Sequence, residues 1–328
     1  MINRLVIAAA FVAGMSAFTP AAQAIEPYEQ AMKSRLAKDA LLLDVAVVGA
    51  STIAVGEYGH VIISSDNGVT WNQAEDVPTR NTLTSVAFFD DLNGVAVGHD
   101  MTIIRTTDGG NTWALTYNDR EIELPLLAVH FVTKDKLVAF GAFSEVLESN
   151  DGGLSWEPRA LSDDAQDDFH LNDVFTGASG DIFVPAEFGN VYRSSDKGAS
   201  FEPLQTPYDG SFWGGMSLNN GDILVWGMRG NAFVSSDNGE SWTKVVTNTD
   251  RSISGGTQLS DGHIVLAGLS GLVLESVDGG KTFTEFVRPD RLSFAHVSPG
   301  PDLKTVVLFG DSGVRMHTLD MNMGSAGN

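Results

Sequence analysis

Hydrophobic positions along the chain alternate over short stretches, and the stretches recur. "LTSVAFFD", "NGVAVG", "TIIRTT" and "TWALTY" (residues 83 to 117) read as four successive β-strands, a to d, with tight turns between them. The turn between c and d carries a recurring box, first seen as "SSDNGVTW". Close variants follow as "TTDGGNTW", "SNDGGLSW", "SSDKGASF", "SSDNGESW" and "SVDGGKTF". Aligned on Asp66, Asp108, Asp151, Asp196, Asp237 and Asp278, the spacings are 42, 43, 45, 41 and 41 residues. A further step reaches Asp320 in the degenerate "TLDMN". The segment before it, "FGDSGVRMHTLD", matches "VGEYGHVIISSD" and its five other counterparts. Seven units of four short antiparallel strands predict an all-β, seven-bladed β-propeller over residues 41 to 320, with Asp-box hairpins. A linear solenoid is the alternative, but its coils are usually shorter and it needs a cap that is not found here.

The box has a structural reading. The aspartate can accept N–H groups of its own turn and the hydroxyl of the Ser or Thr beyond. The glycine supplies a positive φ, and the aromatic opens strand d against the neighbouring blade. An EF-hand loop would need ligands through its twelfth position and a closing Glu, which are missing. A catalytic aspartate would not be needed six times.

Ser-x-Asp-x-Gly-x-Thr-Trp is the Asp-box, or bacterial neuraminidase repeat, motif. With "VGxxGxI" before each box, the chain resembles the photosystem II stability and assembly factor family and its non-photosynthetic bacterial relatives, over nearly the whole of residues 41 to 320. The resemblance implies a non-catalytic factor that binds a protein partner during assembly of a membrane complex or exporter system. The photosynthetic substrate itself does not carry over. Sialidases, xyloglucanases and sorting receptors share the motif, so a carbohydrate-active hydrolase or lectin with a carbohydrate ligand is the alternative.

Composition and the chain ends narrow this. "MINRLVIAAAFVAGMSAFTPAAQA" has the Arg4 n-region, the apolar run and the Ala22-Gln23-Ala24 site of a signal peptide over 1 to 24, so export to a periplasm with cleavage near Ala24 is expected. The 328 residues include no cysteine, which predicts neither disulfides, thiolate metal sites nor a lipid-anchored amino terminus. A net charge of −22 argues against nucleic acid and direct membrane insertion. Residues 25 to 40, "IEPYEQAMKSRLAKDA", either close the ring as an outer strand of the seventh blade or form a short helix. Residues 321 to 328 are a polar tail.

Catalytic and metal signatures are not found. The sialidase Arg-Ile-Pro motif does not occur, the seven histidines do not gather in sequence, and no nucleophile elbow or phosphate loop is present. No catalytic residue, metal or cofactor is therefore assigned. The acidic run "SDDAQDDFH" (162 to 170) reads as a solvated loop. Binding is expected at the end of the disc that carries the b-to-c turns and d-to-a connections. Arg80, Arg120, Arg251 and Arg291 recur just before strand a, and Arg229 sits in a b-to-c loop. Guanidinium groups gathered there suit carboxylates or phosphates of a partner, although Asp119, Asp250 and Asp290 beside three of them offer local pairing. Tyr208, Phe212 and Trp213, in "TPYDGSFWGG", are the candidate apolar contacts.

Overall fold

The computed structural model describes residues 29–161 and 168–320. The expected leader and its cleavage site, most of the acidic run and the tail lie outside the described residues. Those described form a seven-bladed β-propeller of antiparallel meanders, with strands paired in the order a-b-c-d. Blade 2 is typical: Leu83–Phe88, Gly94–Gly98, Ile103–Thr106 and Ala114–Tyr117. The seventh sheet holds three strands among the described residues, Phe294–Pro299, Thr305–Gly310 and Gly313–Thr318. The few helical turns are three-residue 3-10 turns.

The core lies between blades. Strand b is buried on both faces, as in Gly94–Gly98. One apolar cluster joins Ile53, Val55 and Val61 of blade 1 to Val86, Ile104 and Trp113 of blade 2, and comparable clusters fill the other seams. At the seam between the last and first blades, Leu42 and Ile62 meet Val307 and Phe309, and the Trp71 ring stands edge-on to Phe309 at 5.7 Å. No blade can bury both its faces alone, so the ring has to close.

The innermost strands are also laced together by polar groups. Strand a slips register by one residue between Leu83 and Ser85, and again between Ile253 and Gly255. The slip turns Thr84 and Ser254 toward the next blade, where their hydroxyls donate to the carbonyls of Leu126 and Phe294. Asn172 donates likewise to Phe212 O at 2.7 Å. Asp44 accepts Val86 N–H at 2.8 Å, and Asp173 accepts Gly215 N–H at 3.0 Å. His296 Nε2 lies 3.6 Å from Asp44 Oδ1 and so links the seventh blade to the first.

Six box hairpins share one hydrogen-bond set. At the first, Asp66 Oδ1 accepts the Thr70 N–H and the Ser64 hydroxyl, each at 2.8 Å, and Oδ2 accepts the Thr70 hydroxyl at 2.6 Å. These donors lower the Asp66 pKa to about 2. Trp71 Nε1 donates to Gly68 O at 3.0 Å, which pins the aromatic over the turn.

Glycine closes strand b for a steric reason. A Cβ on Gly56, Gly98, Gly227, Gly268 or Gly310 would stand 2.0–2.1 Å from a carbonyl oxygen beside strand a of the same blade. Blade 4 carries Ala186 there instead. Its strand a shrinks to Phe175–Thr176, with a lone bridge from Leu171 to Ala186.

Residues 29–36 run along blade 1: Ala31 N–H donates to Val77 O at 2.9 Å and Ser34 N–H to Gln73 Oε1 at 2.9 Å. Ala37–Asp39 is a 3-10 turn, and Asp39 faces Arg315 of the seventh blade at 3.7 Å. No described part of this segment joins the seventh sheet as a strand. Lys38 instead fills the place of a d-to-a connection for that blade. A Cβ on Gly313 would meet Lys38 O at 2.0 Å, as one on Gly59 would meet Thr79 O and one on Gly230 Thr249 O.

Candidate functional site

Those glycine contacts fix which loops share an end. Each d-to-a connection packs on the b-to-c turn of its own blade, seen for Gly59 with Thr79, Gly189 with Tyr208, Gly230 with Thr249 and Gly271 with Arg288 and Arg291. The arginines are therefore carried on one end of the disc. Arg80 and Arg120 line a single cleft of about 430 Å³ between the connections of blades 1 and 2, together with Asn81, Asn118, Asp100 and Glu123. Arg229 forms the tip of its turn, with its N–H on Ser252 Oγ at 3.2 Å, one residue from Arg251.

For Arg251 and Arg291 the pairing differs from the adjacent-aspartate expectation. Arg80 bridges to Glu29 at 2.9 Å and donates to Gln30 O. Arg120 Nε donates to Asn118 Oδ1 at 2.9 Å. Arg251 pairs with Glu285 at 2.7 Å, an oxygen that also accepts the Thr249 hydroxyl. Asp290 pairs with Arg288 at 2.6 Å rather than with Arg291. Arg229 and Arg291 are exposed, each on left-handed backbone with φ near +55°.

The aromatic candidates do not form one exposed surface. Phe212 is fully buried in the seam between blades 4 and 5, edge-on to Phe233 at 5.9 Å, and is not a surface contact. Its strand begins at Phe212, inside the stretch read as a connection, and the alternation sends its ring inward. Tyr208 lies over Phe212 and Phe233 and donates to Met228 O at 3.3 Å. Trp213 lines the central channel, a cavity of about 110 Å³ walled by strand a of six blades and, in blade 4, by Asn172 and Asp173 just ahead of its short strand; Asp44 and His296 also line it.

Three aromatics that the sequence reading passed over stand at the surface instead. Tyr58, Phe143 and Phe188 occupy the tips of b-to-c turns with φ of 57°, 54° and 54°, and are 62%, 50% and 66% exposed. Their signal was the second residue after the glycine or alanine that closes strand b, a place where left-handed backbone disfavours large side chains.

One buried polar group lies away from this end. Glu275 sits between His263 Nε2 at 3.3 Å and His317 Nε2 at 3.8 Å. Burial raises its pKa, but the two imidazoles outweigh that and bring it down to about 2. Among the described residues no cluster of three or more His, Asp or Glu has the arrangement of a metal site.

Fold and hairpins together define a class: a seven-bladed propeller of box-bearing blades that presents its connections at one end. Within that class the chain resembles the photosystem II assembly factors. The family model described as photosynthesis system II assembly factor YCF48 matches residues 116–266. The chain is 28% identical over 145 residues to the photosystem II assembly lipoprotein Ycf48 of Synechococcus sp. (strain CC9902). That match covers 42% of this chain and only 41% of the relative's own length. Among solved structures, one titled YCF48 bound to D1 peptide superposes with a TM-score of 0.69 at 19% identity, over 91% of this chain and 99% of that one. YCF48 from Cyanidioschyzon merolae gives 0.65 at 16% identity, over 89% and 98%. The GH74 enzyme of Niastella koreensis gives 0.67 at 15%, over 85% of this chain and 52% of that one. At these identities the superpositions establish the fold alone.

Proposed function

We propose that this protein is an exported, non-catalytic assembly factor that uses the loop end of its propeller to hold a segment of a membrane-protein partner. The observation that carries the reading is the arginine-bearing end, where Arg80 and Arg120 flank one cleft and exposed Arg229 and Arg291 project from other blades of the same end. On a chain of net charge −22, guanidinium groups at one end favour an acidic segment, with bidentate contacts to carboxylates available. The relatives support the class of partner: one is named an assembly lipoprotein, and another was solved with a D1 peptide. Export rests on the leader sequence.

The test compares the wild-type mature protein with Arg120→Glu/Arg229→Glu/Arg291→Glu in crosslinking and pull-down from native membranes. Arg251 is left intact because its pair with Glu285 ties down its own connection. Loss of a wild-type membrane partner from the folded variant supports the reading, and retention at moderate salt removes these arginines as the binding site. The GH74 superposition is the reason to assay chromogenic glycosides alongside, since turnover would replace the assembly reading with a hydrolase.

A further inference from the structure

The tips of blades 3 and 4 form a second, differently built surface on the loop end. Phe143 stands edge-on to the His170 ring at 5.0 Å, and Phe188 lies against Phe169 at 5.4 Å. Residues 169–170, ahead of blade 4, are pinned among these rings. Ser144 N–H donates to Phe169 O at 2.7 Å, and His170 N–H donates to Glu187 Oε2 at 3.0 Å. The rings are thus held in place while Phe143 and Phe188 stay half or more exposed.

The turn does not need them. At the same left-handed position blade 2 carries Asp100, blade 5 Arg229 and blade 6 Ser270. A large aromatic on positive φ is disfavoured, and here it occurs in two neighbouring blades, aimed at solvent. The charged side chains nearest the rings in sequence are carboxylates. Glu145, Glu187 and exposed Asp168 adjoin the rings in sequence. The five basic residues between Arg120 and Arg229 lie elsewhere. Lys134 and Lys136 belong to an a-to-b turn, and Lys197 to a box. Arg159 is bonded to Gly198 O and Arg193 to Asn238 O, both in boxes at the opposite end.

We infer that Phe143 and Phe188 form a docking surface for a cationic, apolar peptide segment of a protein partner, whose lysines or arginines meet the surrounding carboxylates. This rests on the protein-binding reading above but uses a different sector of the loop end and the opposite charge. Desolvated aromatics supply affinity, and the acidic surround selects the sign of the ligand.

The probe is a fluorescein-labelled peptide of alternating leucine and lysine, with leucine/glutamate and serine/lysine peptides as controls, read by anisotropy on the mature protein. The leucine/lysine peptide should bind about tenfold more tightly than either control. Phe143→Ser/Phe188→Ser should lose about tenfold of that affinity with its melting temperature unchanged, and Phe188→Ser alone serves if the double variant folds poorly. The Arg120→Glu/Arg229→Glu/Arg291→Glu variant should still bind it, which separates this surface from the arginine site. The inference is overturned if the leucine/lysine peptide does not bind, if the serine/lysine peptide binds equally, or if the phenylalanine variants bind as wild type does. It is also overturned if the two rings instead mediate self-association in sedimentation or adsorption to phosphatidylcholine vesicles.

Discussion

Asp173, just ahead of an inner strand, and His130, on one, carry opposite pH signatures. Burial raises the Asp173 carboxyl to about 7, with Asp44 adding to the rise, although the N–H groups of Gly215 and Val174 pull the other way. Burial lowers His130 to about 4. A carboxyl raised on folding makes the native state bind more protons. Its contribution is therefore complete below the ordinary carboxyl pKa of about 4 and is lost as pH rises through about 7, worth at most about 4 kcal/mol. A lowered imidazole contributes above about 6.5 and is lost as pH falls toward 4. Between these limits the two slopes oppose each other. Asp173→Asn should leave the His130 slope exposed, so that urea-denaturation stability rises steadily from pH 4.5 to 6.5. A variant profile parallel to wild type would show that Asp173 does not titrate in this range. At the boxes, Asp108 accepts the Thr112 N–H and hydroxyl and the Thr106 hydroxyl. Asp108→Ala should cost about 1–3 kcal/mol through donors left unpaired, and an unchanged melting temperature would argue that water replaces them without loss.

The repeat makes elements legible because each hairpin must solve the same local problem. A box needs a carboxylate, two hydroxyls and a glycine at fixed offsets, so strands c and d can be placed by counting residues. The glycine ending strand b belongs to the same logic, and it gives a paired test. Gly227→Ala puts a Cβ about 2.1 Å from Ser211 O and should cost about 1–3 kcal/mol or more, because backbone must move. Ala186→Gly, in the blade whose strand a has already withdrawn, should change stability by less than about 1 kcal/mol. Equal effects of the two in chemical denaturation would contradict the steric account. What the repeat does not encode is where an element's neighbours lie. Phe212 and Trp213 are consecutive in sequence, yet one is sealed in a seam and the other faces the channel. Their alternation was visible, but the inner strand and its one-residue slip were not. The exposed Phe143 and Phe188 escaped notice for a related reason: the sign of φ at a turn tip can be anticipated for glycine, not for phenylalanine.

At the scale of the whole ring, the seams are chemically alike but not topologically alike. Phe140 packs edge-on against Phe201 at 5.5 Å in the seam between blades 3 and 4, which the chain itself crosses. Phe309 packs edge-on against Trp71 at 5.7 Å in the seam between blades 7 and 1. Among the described residues that seam has no chain running from the seventh blade into the first. It depends on the apolar cluster around Phe309, the Asp44 and His296 contact, and the strap of residues 29–39, which reaches from Gln73 and Val77 to Arg315. Both phenylalanines are fully buried, so Phe140→Ala and Phe309→Ala should each cost about 3–5 kcal/mol globally. Their effects on local opening should differ. With a covalent connection alongside, the seam at Phe140 reopens only with its neighbours, and hydrogen exchange should accelerate evenly across the ring. At Phe309 the two blades can part without unfolding a connection, which is a sub-global opening. Amide exchange in Leu42–Val48 and Phe294–Pro299 should then outpace that of Leu126–Phe131 by about tenfold in Phe309→Ala and not in Phe140→Ala. Uniform exchange in both variants would mean that the ring opens only as one cooperative unit and that the strap closes its seam as firmly as a covalent crossing does.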